Sequence, residues 1–300
     1  MKILLIGKNG QVGFELRRSL SILGDLVAVG SRDCDLSDIN AIKQLIRSQK
    51  PDVIVNAAAF TAVDRAESNE LLAIALNTTA PSILADEAHK TGALLVHYST
   101  DYVFDGKKKG PYTEVDQPNP QSIYGLSKLS GDLAIQEKCR RHLILRTSWV
   151  MGMHGNNFAK TMLRLASERT EIKVVVDQSG VPTSSSLLSD ITAYLICNES
   201  NSDGKFQYGL YNTVASGLTT WHEYACYVIE RARRANIKIS VEPMAIRAIL
   251  TSEYPTPATR PTNSHLDTSK LRDTFGLRLP SWQAGLDYVL DHIFEDYNGK

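Results

Sequence analysis

Five short apolar runs most constrain what this chain can fold into: KILLI, LVAV, DVIVN, ALLVHYS and HLILRTS, all within the first half of 300 residues. Each is apolar at consecutive positions, not alternating ones, so as a strand it must be covered on both faces. Between them stand stretches with helical spacing, one from about Gln11, one from Asp38 and one running through residue 91. Parallel neighbours need crossover connections, and the helices supply both the crossover and the cover. The pattern predicts an α/β fold built on a doubly wound parallel sheet.

After Trp149 the rhythm loosens into polar stretches with Gly and Pro, such as DQSGVPTSSS and YPTPATRPTNS, which read as binding loops. The expected division is a sheet domain over residues 1–150 and a smaller C-terminal lobe over 151–300 that faces a substrate. GLYNTVASG, at 209–217, has strand character and would rejoin the first sheet. Thirty-three basic and thirty-three acidic side chains cancel, so no net field draws the protein to nucleic acid or to an anionic membrane. No stretch approaches eighteen apolar residues and the N-terminal run is too short for a signal segment, which predicts a cytoplasmic protein. The cysteines (Cys34, Cys139, Cys197 and Cys226) form no C-x-x-C pair, so neither a zinc knuckle nor a disulfide framework is expected.

LLIGKNGQVG places Gly7, Gly10 and Gly13, with Gln11 and Val12, between the first strand and the first helix. Small residues there allow a tight turn and a close approach of backbone to a pyrophosphate, and the helix N-terminus favours the negative charge. In a strand–turn–helix context this predicts a dinucleotide-binding, Rossmann-type domain. At the end of the second strand, where an acid would hold the ribose of NAD, the chain reads VAVGSRD. Arg32 is there either a solvated loop residue or a partner for a 2′-phosphate, and the absent acid favours NADPH over NADH. Asp35-Leu36 and Ala59-Phe60-Thr61 follow the next turns and are expected over the adenine and phosphate side.

In SIYGLSKLSGDL, Tyr124 and Lys128 stand four apart and share a helix face. A nearby ammonium favours the tyrosinate and makes the phenol a usable acid or base near neutral pH. Ser99 and Thr100 end the fourth strand, so Thr100 is expected to hydrogen-bond the oxygen that Tyr124 protonates.

With these residues in place the chain resembles the extended short-chain dehydrogenase/reductase family. The resemblance runs over nearly its whole length, through GKNGQVG, PDVIVNAAAFTAVDRAES, HYSTDYVFDG, YGLSKLSG, RTSWV, GNNFAKTMLRLA, DQSGVPT and YPTPATRPTNSHL. It is nearest a branch that reduces the 4-keto group of dTDP-4-dehydro-β-L-rhamnose to dTDP-L-rhamnose. The resemblance implies a catalytic set of Thr100, Tyr124 and Lys128, with Lys128 also holding the nicotinamide ribose. It places Asp101 and Trp149 against the sugar nucleotide, although Trp149 reads equally as a core aromatic. Asn157 and Arg260 are candidates for the diphosphate, and Arg260 reads equally as a solvated charge. A homodimer is possible by the same resemblance.

Some members of that family share a metal site between subunits through acidic residues. Here Glu15 is acidic, but Ser186 and His292 stand at the other matching positions, so magnesium is doubtful and no metal ligand is expected. Three other readings bear on function. Nucleotide-sugar 4,6-dehydratases carry a glutamate where this chain has Tyr102. A related ketoreductase would give the 4-epimer. A non-catalytic NADP-binding regulatory subunit would have no use for a tuned phenol.

Overall fold

The computed structural model describes residues 1–298, so the last two residues of the expected C-terminal lobe lie outside the described residues. The five apolar runs form β1 (Lys2–Ile6), β2 (Asp25–Val29), β3 (Val53–Asn56), β4 (Leu94–Thr100) and β5 (His142–Thr147). A sixth strand, β6 (Gly209–Asn212), pairs with β5. The sheet order is β6-β5-β4-β3-β1-β2, and every pairing is parallel. The winding direction reverses at β1, which lies between β2 and β3. Ligands of open α/β sheets bind outside the carboxyl ends of the strands at such a switch point.

Consecutive apolar residues are needed because both faces of the sheet are covered. Leu4, Ile6, Ile54, Leu95 and Ile144 face Ile42, Ile46 and Leu84 of helices α2 (Ile39–Gln49) and α3 (Ala80–Thr91). Ile3, Leu5, Val53, Val55, Leu94 and Leu143 face Leu16 and Leu20 of α1 (Gln11–Leu20). Each such side chain, fully buried, contributes about 1.5–3 kcal/mol. α4 (Ile123–Lys138), which carries Tyr124 and Lys128, packs on α3 and on the turn after β4.

α3 is preceded by a π-helical turn, Ala75–Thr79. Pro81 has no N–H for the carbonyl of Asn77, four residues earlier, so the regular ladder is interrupted there. At Gly131 of α4 an added Cβ would stand 2.1 Å from that carbonyl oxygen. The glycine lets α4 press directly on the freed backbone.

The second half of the chain is more regular than its polar sequence suggests. α5 (Phe158–Glu168), α7 (Trp221–Arg234) and α8 (Trp282–Asn298) pack around Met162, Leu163, Tyr224, Val228, Trp282 and Leu286. A short parallel pair, Ile172–Val175 with Ile246–Ile249, lies beside them. Two pieces of this half belong physically to the sheet: β6, and α6 (Ser185–Ser200), which lies on α1.

Candidate active site

The turn after β1 is built for close approach. Gly7 has φ +92°, and a Cβ there would lie 2.6 Å from the Ala58 nitrogen; at Gly13 it would lie 1.9 Å from the Gly7 oxygen. Those two glycines lock β1, α1 and the loop after β3 together. Gly10, the N-cap of α1, makes no side-chain cap, and the nearest atom to a Cβ placed on it is 3.6 Å away. The first amides of α1 thus point into a cradle open to an anion, and the residues fit a dinucleotide pyrophosphate. Val12 is half-buried against the sheet, while Gln11 Nε2 donates to the Val150 carbonyl at 3.4 Å.

At the end of β2 the structure adds a residue that the sequence reading passed over. Arg32 is exposed, but the next side chain, Asp33, folds back so that Oδ2 accepts from the Gly30 amide at 2.8 Å and meets Lys8 Nζ at 2.7 Å. A carboxylate does stand at this strand end, with its charge partnered by Lys8. Asp35 spends its Oδ1 on the Ser37 amide and hydroxyl, Leu36 is buried, and of the stretch after β3 Phe60 is buried and Thr61 exposed.

Tyr124 and Lys128 are both buried on α4, beneath the carboxyl end of β4. Their small neighbours answer to packing. A Cβ on Gly125 would lie 2.2 Å from the Tyr102 oxygen, and Ser127 Oγ donates to the Tyr124 carbonyl at 2.9 Å. Ser122 caps the helix by accepting from the Gly125 amide. Thr100 Oγ1 accepts from the Tyr102 amide at 3.2 Å and donates to Asp101 Oδ1 at 3.0 Å.

The sequence leads one to expect a phenol lowered by Lys128. In the folded chain burial dominates and holds the Tyr124 phenol well above its ordinary value, with the Thr100 hydroxyl pulling the other way and Asp101 adding to the rise. The phenol keeps its proton through neutral pH, the form a general acid needs. Lys128 is pushed down to about 8 by burial, opposed by Asp132. Its Nζ donates to the Tyr98 carbonyl at 2.6 Å and lies 2.9 Å from His97 Nε2.

Three supporting residues escape a sequence reading. Asn56, at the end of β3, lies 3.0 Å from His97 Nδ1. Asn77, in the π turn, accepts from the Phe60 amide, donates to the Phe60 carbonyl and to Ser127 Oγ, and so ties the loop after β3 to α4. Asp132 accepts from Ser99 Oγ at 2.7 Å and pairs with the buried Arg146 at 3.4 Å. A lone Asn or Asp in a sequence reads as an ordinary polar residue until its partners are known, so no local signal marks them.

On the side facing the second lobe, Asp101 is buried, and its carboxyl is pushed up to about 6 by that burial, against the pull of the Ser264 and Thr100 hydroxyls. Trp149 adopts φ +47°, a strained conformation for a large side chain, and stacks on Trp221 with ring centroids 3.6 Å apart. Gly180 makes the room: a Cβ there would lie 2.5 Å from the Trp149 ring. Asn157 caps α5 and donates to Gln11 Oε1 at 3.1 Å, which places it beside the glycine turn. Arg260 reaches Asp64 at 2.7 Å and Tyr102 Oη at 3.5 Å. A hollow of about 1000 Å³ opens at the opposite, amino edge of the sheet, lined by Arg47, Lys50, Asp52, Arg141 and Glu199, and holds none of this chemistry.

Comparison with known proteins places the whole chain. Residues 1–294 match the family described as RmlD substrate binding domain. A dTDP-4-dehydrorhamnose reductase from Shigella flexneri is 50% identical over 298 residues, 98% of each chain. The crystal structure of a dTDP-4-dehydrorhamnose reductase from Clostridium acetobutylicum matches with a TM-score of 0.90 at 36% identity, covering 98% of this chain and 99% of that one. A structure of dTDP-4-dehydrorhamnose reductase from Bacillus anthracis in complex with NADP matches with a TM-score of 0.86 at 34% identity, covering 97% and 99%.

Proposed function

This chain belongs to the RmlD substrate binding domain family, and from that premise we propose that it is an NADPH-dependent reductase converting dTDP-4-dehydro-β-L-rhamnose to dTDP-L-rhamnose. NADPH, when bound, supplies the hydride. The amides at the start of α1, opened by Gly7, Gly10 and Gly13, hold the pyrophosphate, and Arg32, exposed just after β2, pairs with the 2′-phosphate. Lys128 holds the nicotinamide ribose beside Tyr124.

Tyr124 gives its proton to the oxygen of the 4-keto group as negative charge develops there, and Thr100 hydrogen-bonds the same oxygen. Asp101, Trp149, Asn157 and Arg260 meet the sugar nucleotide, Arg260 through the planar fork that suits phosphate oxygens. The dehydration chemistry of sister enzymes lacks its base here, since Tyr102 occupies that position and burial pushes its phenol up to about 12.

The observation that carries the reading is the burial of Tyr124 and Lys128 one helical turn apart, below Thr100 and at the carboxyl edge of a sheet whose first turn leaves the N-terminus of α1 without a side-chain cap. NADPH oxidation on adding dTDP-4-dehydro-β-L-rhamnose, with the product's C4 configuration read by NMR, tests it; the 4-epimer as product would replace the rhamnose assignment. The reading also carries a cytoplasmic site of action and a homodimer, the latter tested by gel filtration. Among the described residues no helix is long and apolar enough to cross a membrane.

A further inference from the structure

His97 is fully buried in β4, and the reaction as described makes no use of it. Its two ring nitrogens are both engaged: Nδ1 lies 3.0 Å from Asn56 Nδ2 and Nε2 lies 2.9 Å from Lys128 Nζ. A neutral imidazole has one N–H and one lone pair. The Asn56 amide is oriented by its neighbour, because Oδ1 accepts from the Ala58 amide at 3.2 Å; turning it over would set two donors face to face. Nδ2 therefore donates to the ring, Nδ1 carries the lone pair and Nε2 carries the proton. An ammonium has no lone pair to receive that proton, whereas a neutral amine has one. The amine can still donate to the Tyr98 carbonyl at 2.6 Å.

We propose that His97 is a positioning residue for Lys128: its Nε2–H, set by Asn56, holds the lysine as a neutral amine while the crevice is empty, so that filling the dinucleotide site is coupled to uptake of one solvent proton at Lys128. The inference rests on Lys128 belonging to the reductase site. Burial acts in the same direction on both groups, lowering Lys128 and holding His97 well below its ordinary value. The charged group that acts on the lysine is Asp132 one turn along α4, which favours the ammonium and is itself paired with Arg146 of β5; Tyr124 lies one turn back, with Asp101 and Tyr102 acting on its phenol. Asp132 is the one group among them that opposes the neutral amine, and its carboxylate is shared with Arg146 and Ser99.

Two measurements on the unmodified protein, which need neither sugar nor turnover, and a comparison with one variant test this. In protein labelled with ¹⁵N-histidine, His97 should appear at pH 8.5 as a neutral Nε2–H tautomer that does not titrate down to pH 5.5, assigned by its loss in His97→Gln. Calorimetry of NADP binding at pH 8.5, in buffers of different ionisation enthalpy, should report uptake of between a half and one proton per site. The 2′-phosphate is fully ionised at that pH and does not contribute. In His97→Gln the amide oxygen can accept from an ammonium, so uptake should fall towards zero. The alkaline fall in kcat/KM for NADPH should then move up by about one pH unit, the worth of a hydrogen bond to a charged group. An Nδ1–H tautomer at pH 8.5, no proton uptake by the native protein, or a variant that loses thermal stability while uptake and alkaline limb stay put would each overturn the proposal. Failure of the sugar-reduction assay alone would count against the substrate assignment and leave this network standing.

Discussion

Thr100 Oγ1 donates its hydrogen to Asp101 Oδ1, 3.0 Å away, in a pocket where both side chains are buried. Placed at the end of β4, Thr100 would be expected to aim that hydrogen at a substrate oxygen. The hydroxyl hydrogen can rotate between that carboxylate and an oxygen beside Tyr124, and burial pushes the carboxyl up to about 6. The folded state therefore binds this proton more tightly than the unfolded chain, where an aspartate titrates near ~3.9. Stability linked to the group is fully present below about pH 4 and is lost as pH rises through about 6. Asp101→Asn should thus gain roughly 2–3 kcal/mol in unfolding free energy relative to the native protein between pH 4 and pH 7, while losing sugar turnover. Urea unfolding of both proteins at the two pH values checks this; a difference that does not change with pH would show that the carboxyl titrates normally.

Replacing Tyr124 with Phe removes the proton donor while leaving the ring that packs edge-on against Tyr102, centroids 5.4 Å apart. Turnover should fall roughly 10²–10⁴-fold, the usual share of a general acid, with the fold and NADP affinity retained. Lys128→Met should weaken both turnover and cofactor binding, because one ammonium serves both. Steady-state kinetics with a fluorescence titration of NADPH separate the two variants.

The strand end at β2 offers a direct test of cofactor choice. Asp33 is tied to the Gly30 amide and to Lys8, and Arg32 stands exposed beside it. Arg32→Ala should weaken NADPH selectively, leaving NADH little changed. Lys8→Ala should act in the same sense, since it leaves the Asp33 carboxylate unpartnered near the incoming 2′-phosphate. Dissociation constants for both cofactors decide the matter, and equal losses would remove Arg32 and Lys8 from 2′-phosphate recognition.

Gly180→Ala should disturb the sugar side alone. The added methyl meets the Trp149 ring at 2.5 Å, and Trp149 is already strained and stacked on Trp221. The expected result is a raised KM for the sugar nucleotide, by about tenfold for a loss near 1.4 kcal/mol, with NADPH affinity unchanged.

Chelation should leave the enzyme active. Glu15 is buried and lies 3.7 Å from Arg18, Ser186 Oγ donates to Ser184 Oγ, and His292 Nδ1 faces the Tyr288 carbonyl. Among the described residues no cluster of three or more His, Cys, Asp or Glu is placed to hold a metal ion. Magnesium asks for oxygen ligands in near-octahedral geometry, and the carboxylates on this face, Glu15 and Asp190, are both turned to Arg18, at 3.7 and 2.9 Å. Activity and gel-filtration position with and without EDTA should agree; a loss restored by magnesium would show that Asp190 or Asp291 supplies a site.

The sequence by itself determined the parallel sheet, because strands apolar at consecutive positions have no stable place except between two covering layers, and it determined the tight turn after β1, because Gly7 and Gly13 leave contacts in which no Cβ fits. It also placed Tyr124 and Lys128 together, since helical spacing is local geometry. What only the tertiary structure decided is the state of those groups. Whether Lys128 lowers the Tyr124 phenol or burial raises it depends on β4, β3 and the loop after β3 closing over α4, and burial prevails. Asn56, His97 and Lys128 are 41 and 31 residues apart in steps along the chain, and Asn77 reaches Phe60 and Ser127 from a π turn that no periodicity announces. Hydrogen bonds of this range follow from which strands become neighbours. A pKa follows from how much water those neighbours exclude, and neither quantity exists until the chain has folded.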